Sequence, residues 1–166
     1  MKRLLFLALG AGLLYACQPT ATAEAPKKDK TTEVEVEETG YDAELAEAVG
    51  ADQYGMRQYV MAFLKAGPNR SQDSTEAAAL QRAHLDNIGR LAEEGKLSLA
   101  GPFLDDGELR GIYIFNVSTI EEAKALTETD PAIQQGRLVM ELHPWYGSAA
   151  LMKVNEIHKR LGKEEI

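Results

Sequence analysis

The chain has 166 residues and a single cysteine, Cys17, so it cannot close a disulfide within itself or build a zinc or iron–sulfur centre on thiolates. It also lacks any apolar run of the roughly 18 residues that a membrane-spanning helix needs. Its three histidines, His84, His143 and His158, show neither a His-x-x-x-His spacing nor a pair of histidines near a carboxylate, so no metal site is expected. No serine sits in a nucleophile-elbow pattern. No glycine-rich loop suits a phosphate either, since "GAGLL" belongs to the first 16 residues. Basic residues are outnumbered: 18 lysines and arginines face 26 acids, which argues against binding to a nucleic-acid backbone. No cofactor is expected.

What is present begins with Lys2 and Arg3, followed by an uncharged apolar run from Leu4 to Leu14 that has the layout of a secretory signal. It closes on "LLYAC", with small Ala16 directly before Cys17. This ending resembles the bacterial lipoprotein signal, in which the cysteine is lipidated and becomes the first mature residue. The alternative is an ordinary cleaved signal with a chance cysteine. The lipoprotein pattern implies a location in the bacterial cell envelope, periplasmic or on the outer surface, with the membrane met through the lipid anchor only. Residues 17–40 then read as a disordered acidic tether, rich in Thr, Ala, Glu and Lys and without an aromatic residue. A flexible chain of that length spans typically about 25–30 Å. Residues 18–52 hold three lysines against ten acids, so most of the negative charge lies outside the folded part. Residues 41–52 supply a short helix and linker, with Asp42 as N-cap and Gly50 just past the helix end.

Residues 53–147 carry an α/β pattern. "RQYVMAFLK" (57–65) is rich in strand formers and stops at the turn signal "GPN". Residues 74–94 form a long helix, with Ser74 as its cap and Gly95 as its stop. Strands follow at 96–103 and 110–117 around the turn "LDDGEL", where Asp105, Asp106 and Gly107 supply the turn chemistry. A helix at 118–129 places Ser118 and Glu121 as a capping box; "DPAIQQG" makes a short helical turn, and 137–143 a fourth strand that Pro144 ends. Residues 148–166 hold a C-terminal helix, to about Arg160, and a tail. The fold class is therefore α+β: a ferredoxin-like βαββαβ with a four-stranded antiparallel sheet and short N- and C-terminal helices. Both faces of two strands are apolar, with Tyr59, Met61 and Phe63 alternating with Val60, Ala62 and Leu64, and Ile112 and Ile114 with Tyr113 and Phe115. Two helices cover one face only, so the other calls for a cover, either the C-terminal helix or, preferably, a second copy's sheet in a homodimer.

Four segments in register, "AHLDNIGRLAEEGKLSLAGPF", "LRGIYIFNVSTIEEAKAL", "DPAIQQGRL" and "MELHPW", resemble the YCII-related family over about residues 56–146. The resemblance implies a dimeric α/β barrel built from two ferredoxin-like units. It also implies a histidine–aspartate pair in a pocket, His84 and Asp130 here. The family commonly has arginine, proline and alanine before that histidine, whereas this chain has Gln81, Arg82 and Ala83, which turns the arginine about 100° around the helix.

The residues themselves leave alternatives open. His84 lies on an apolar helical stripe with Leu80, Ile88 and Leu91, so it is either a packed core imidazole or an acid–base group. Asp130, followed by Pro131, is an N-cap by pattern, and one carboxylate oxygen can cap while the other orients His84. Phe103 and Trp145 are the expected pocket-lining aromatics; Trp145 with His143 and Tyr146 reads more readily as an aromatic plug closing the core or the dimer seam. His158, in a polar stretch, is expected to face solvent. The functions in play are an acid–base enzyme for an unknown small molecule, of isomerase, lyase or hydrolase type, a binding module for such a ligand, or a structural dimer.

Overall fold

The computed structural model describes residues 40–164; the signal segment, Cys17 and nearly all of the tether lie outside them. In chain order the elements are α1 (Ala43–Val49), β1 (Met56–Ala66), α2 (Ser74–Glu93), β2 (Leu97–Pro102), β3 (Leu109–Phe115), α3 (Ile120–Thr127), α4 (Pro131–Gln134) and β4 (Leu138–Ser148). A 3₁₀ turn (Ala149–Lys153) and α5 (Val154–His158) follow. The strands form one antiparallel sheet in the order β2-β3-β1-β4, which is the ferredoxin-like βαββαβ arrangement. Among the described residues, no helix is long and apolar enough to cross a membrane.

The core lies between one sheet face and the helices. Val60, Ala62 and Leu64 of β1 and Tyr113 and Phe115 of β3 meet Leu91 of α2 and Ala123 of α3, so strand alternation and helical spacing close on the same volume. Both long helices begin one residue away from the expected cap. Asp73, not Ser74, accepts from the amides of Thr75 and Glu76, and Glu76 returns the bond. Thr119 with Glu122, not Ser118 with Glu121, forms the box of α3. In each case two capping residues are adjacent, and pattern alone cannot rank them.

Strand β4 runs on past residue 143 and through Pro144, which stands opposite Val60. The strand is at the sheet edge and is bonded on one side only, where a proline whose nitrogen lies on the free side costs the ladder nothing. The C-terminal helix expected to reach about Arg160 is instead a 3₁₀ turn and five residues of α5. The turn packs on β1 and β2, with Ser98 Oγ donating to Met152 Sδ at 3.5 Å, while α5 turns to β2, where Asn155 Nδ2 donates to Leu97 O at 2.7 Å.

That turn covers part of the second sheet face. Tyr59 is fully buried there, donating to Ser148 O at 3.0 Å and packed against Trp145 at 5.8 Å between ring centres. Arg57 ties α1 to this end by donating to Val49 O at 2.6 Å and to Asn116 Oδ1 at 2.8 Å. Met61, Phe63 and Ile112 on the same face remain half-buried.

The β1–β3 ladder pairs Leu64 with Gly111 but Lys65 with Leu109, so Arg110 is an extra, bulged residue. Gly111 beside it has no room for a side chain, because a Cβ would stand 2.6 Å from Gly101 O in β2. Gly111→Ala is expected to push β2 and β3 apart and lower stability by about 1–3 kcal/mol in urea unfolding. A loss below about 0.5 kcal/mol, within the range of neutral surface changes, would show that the strands are not held this closely.

Candidate functional site

The site is built where α2 crosses the sheet. The buried residues of α2 are His84, Asn87 and Leu91, three and four residues apart, so the helix presents His84 to β3. Opposite it is Asp130, fully buried, at the start of the single-turn α4. Asp130 and Pro131 make that turn possible: the carboxylate Oδ1 accepts from Ala132 N at 2.9 Å, and the proline needs no donor partner at the first position. The second oxygen, Oδ2, accepts from His84 Nδ1 at 2.6 Å across 46 residues of sequence. An ionised carboxylate can only accept, so Nδ1 is the donor, and in the neutral ring Nε2 then carries the lone pair.

Tyr113 of β3 faces that lone pair. Its hydroxyl is 3.4 Å from His84 Nε2, and the two rings stack with centres 6.2 Å apart. Burial first, and then the Asp130 carboxylate, push the Tyr113 phenol well above its ordinary value, so it remains a proton donor. At 3.4 Å the bond is long, which leaves Nε2 open to a better partner. Behind the pair a second network fixes its frame. Asn87 Oδ1 accepts from Arg90 Nη2 at 2.7 Å and from Thr129 Oγ1 at 3.1 Å, and Arg90 Nη2 also reaches Thr129 Oγ1 at 3.0 Å. Helix α2 is thus tied to the segment carrying Asp130 at two places.

His84 opens on a cleft of about 1620 Å³ between α2, the β2 edge and the C-terminal segment. Leu64, Leu97, Tyr113, Ala132 and Leu138 give it an apolar floor, and Val154, Asn155 and His158 one wall. His158 is exposed to solvent, as expected, while also bordering the cleft, because α5 folds back onto β2. Gln81 and Arg82 both border it too, with Arg82 paired to Asp86 at 2.9 Å. The structure does not bring Phe103 or Trp145 to this cleft. Phe103 stands half-exposed past the end of β2, and Trp145 lies with Tyr59 on the opposite sheet face. His143 is on that opposite face as well, 2.8 Å from Glu141 Oε1 and edge-on to Phe63. Lys65 and then His143 hold the Glu141 carboxyl below its usual range. Asp105 and Asp106 stay in the β2–β3 turn. Among the described residues, no group of three or more His, Cys, Asp or Glu is placed to hold a metal ion.

A YCII-related domain matches residues 59–146, just over half of the chain. The chain belongs to the YCII-related domain family. Both His84 and Asp130 fall inside the matched span. Among solved structures, 5-chloro-2-hydroxyhydroquinone dehydrochlorinase (TftG) from Burkholderia phenoliruptrix AC1100, in complex with 2,5-dihydroxybenzoquinone, is similar at 19% identity. That likeness covers 52% of this chain and 92% of the other, with a TM-score of 0.41. Comparison with curated proteins gives no match. Tyr113, Asn87 and Thr129 were not singled out in this YCII-related chain by sequence pattern, although Tyr113 is the one residue with a polar tip among the inward positions of β3.

Two measurements probe this geometry. Asp130→Ala removes both the cap and the partner of a buried ring, and is expected to cost about 3 kcal/mol or more. Asp130→Asn retains the cap and should cost about 1 kcal/mol less; equal losses would mean that the capping bond is idle. The folded chain holds the Tyr113 proton more tightly than the unfolded chain, so unfolding releases protons once pH exceeds the ordinary tyrosine value, about 10. Stability should then fall by up to about 1.4 kcal/mol per pH unit for this group. Tyr113→Phe should shrink, but not abolish, that alkaline limb, since Tyr59 and Tyr146 are also raised. An unchanged limb in urea titrations would contradict the placement of Tyr113.

Proposed function

We propose that this YCII-related domain carries out acid–base chemistry on a small, partly apolar molecule held in the His84 cleft. The observation that carries the reading is the 2.6 Å bond from His84 Nδ1 to a fully buried Asp130, with His84 bordering an open cleft of about 1620 Å³. His84 Nε2 takes a proton from the bound molecule and returns it at another atom or to a leaving group. Asp130 fixes the tautomer and stabilises the imidazolium formed in between. Tyr113, kept protonated, donates to oxygen that gains charge during the reaction. Isomerisation, elimination and hydrolysis all fit this set equally. A second reading, ligand binding without turnover, is favoured by the burial of His84, which is only 7% exposed.

Two further parts of the reading rest on sequence and burial. The start of the chain supports lipidation at Cys17, residues 17–40 acting as a tether to the bacterial cell envelope and 53–147 as the working domain. Met61, Phe63 and Ile112, half-buried on the sheet face away from the helices, support a homodimer that closes a barrel.

The deciding experiment screens the chain against small enolisable carbonyls, lactones and halogenated phenols, then repeats the active case with His84→Ala. The expected result is a fall in kcat of about 100-fold or more with ligand affinity changed less than about threefold. Turnover that survives in His84→Ala removes His84 as the acid–base group. Binding without turnover in the unsubstituted chain favours the second reading.

A further inference from the structure

We infer that the open end of the His84 cleft is a carboxylate site formed by Arg110, Arg137 and Arg70, so that the ligand is a small apolar molecule with an anionic group at one end; this rests on the cleft being the functional site. Residues 53–166 carry 13 lysines and arginines against 16 acids, yet the residues bordering the cleft include seven lysines and arginines against three acids. Two of those cations are already spent: Arg82 on Asp86 and Arg90 on Glu94. Arg70 and Arg110 make no ion pair or hydrogen bond through their side chains among the described residues, and Arg137 Nη1 donates only to the neutral Gln72, at 3.2 Å. Three arginines that border one cleft without carboxylate partners are a charge arrangement that an anion completes.

The backbone sets them there. Strand alternation would put Arg110 on the far sheet face with Ile112 and Ile114, but Arg110 is the bulged residue, and a bulge breaks the alternation and re-aims the side chain. Arg137 immediately precedes β4, on the other side of β1, and Gly67 N donates to its carbonyl at 2.8 Å. Gly67 allows that approach, since a Cβ there would stand 2.2 Å from Gly136 O. Arg70 follows in the same loop, which is docked by Asn69 N donating to Gly136 O at 3.0 Å and Asn69 Nδ2 to Gln135 O at 3.0 Å. Arg110 and Arg137 flank β1 near one end of the sheet, two strand spacings across it and two to three residues apart along it, roughly 13 Å in all, a gap that two guanidinium side chains can span around one carboxylate. Tyr113, which marks the depth of His84, lies three residues along β3 from Arg110, about 10 Å. Between the two ends the floor is apolar. The ligand that fits has an apolar, ring-sized body over Leu64 and Leu138, its reacting atom at His84 Nε2 and its charge at the arginines.

The test titrates the full chain by calorimetry with 3-phenylpropionate and with its neutral amide, 3-phenylpropionamide. The acid is expected to bind at least about tenfold more tightly than the amide, with the advantage shrinking as salt is raised. Arg110→Gln and Arg137→Gln should each remove most of that advantage and leave binding of the amide unchanged. Equal binding of the two probes, binding of neither, or an advantage that both arginine variants retain overturns the inference. The two readings separate in His84→Ala. An acid preference that persists there, with His84 dispensable for turnover, leaves the arginine site standing and removes the acid–base role. A missing preference beside a His84-dependent turnover removes the arginine site alone.

Discussion

The structure turns on one buried carboxylate. Asp130 has no exposure to solvent, and a charge in such a place persists only when both oxygens are bonded. One oxygen starts α4 and the other takes the Nδ1 proton of His84, so the group that completes the helix turn is the group that sets the imidazole. Local folding and site geometry are therefore the same event. Any displacement of α4 relative to α2 must break a hydrogen bond to a buried charge, which costs more than a surface ion pair returns. The Asn87–Arg90–Thr129 network reinforces the same joint from the solvent side.

Around that joint the sheet provides two unlike surfaces. One face is filled by the helices and ends in the cleft. The other is partly closed by the 3₁₀ turn after β4 and by Trp145 on Tyr59, and stays half-open at Met61, Phe63 and Ile112. The bulge at Arg110 adds a local exception to alternation at the one end of the sheet where the cleft opens. A folded part of nearly balanced charge thereby gathers cations along the border of the cleft.

Much of the fold was legible in the residues. The order of strands and helices follows from alternation in "RQYVMAFLK" and "RGIYIFNV" and from the helical stripe through Leu80, His84, Ile88 and Leu91. The dual use of Asp130 was open to view as well, because Asp-Pro is a cap pattern and a carboxylate has a second oxygen to give. Three features were not. Adjacent capping residues at Asp73–Ser74 and Ser118–Thr119 compete at nearly equal energy. Pro144 reads as a stop unless the edge position of β4 is known. The cleft lining depends on where α5 folds back, which leaves Phe103 and Trp145 elsewhere; tertiary packing decides that, and local pattern carries no signal for it.

The central claim is that Asp130 holds His84 as the Nδ1–H tautomer with Nε2 facing the cleft. Nitrogen-15 NMR of the His84 ring, through its two- and three-bond couplings to the ring protons, reads the tautomer directly. A single Nδ1–H form in the full chain, lost to a mixture in Asp130→Asn, is the result expected. An Nε2–H form, or a mixture that Asp130→Asn leaves unchanged, would contradict it.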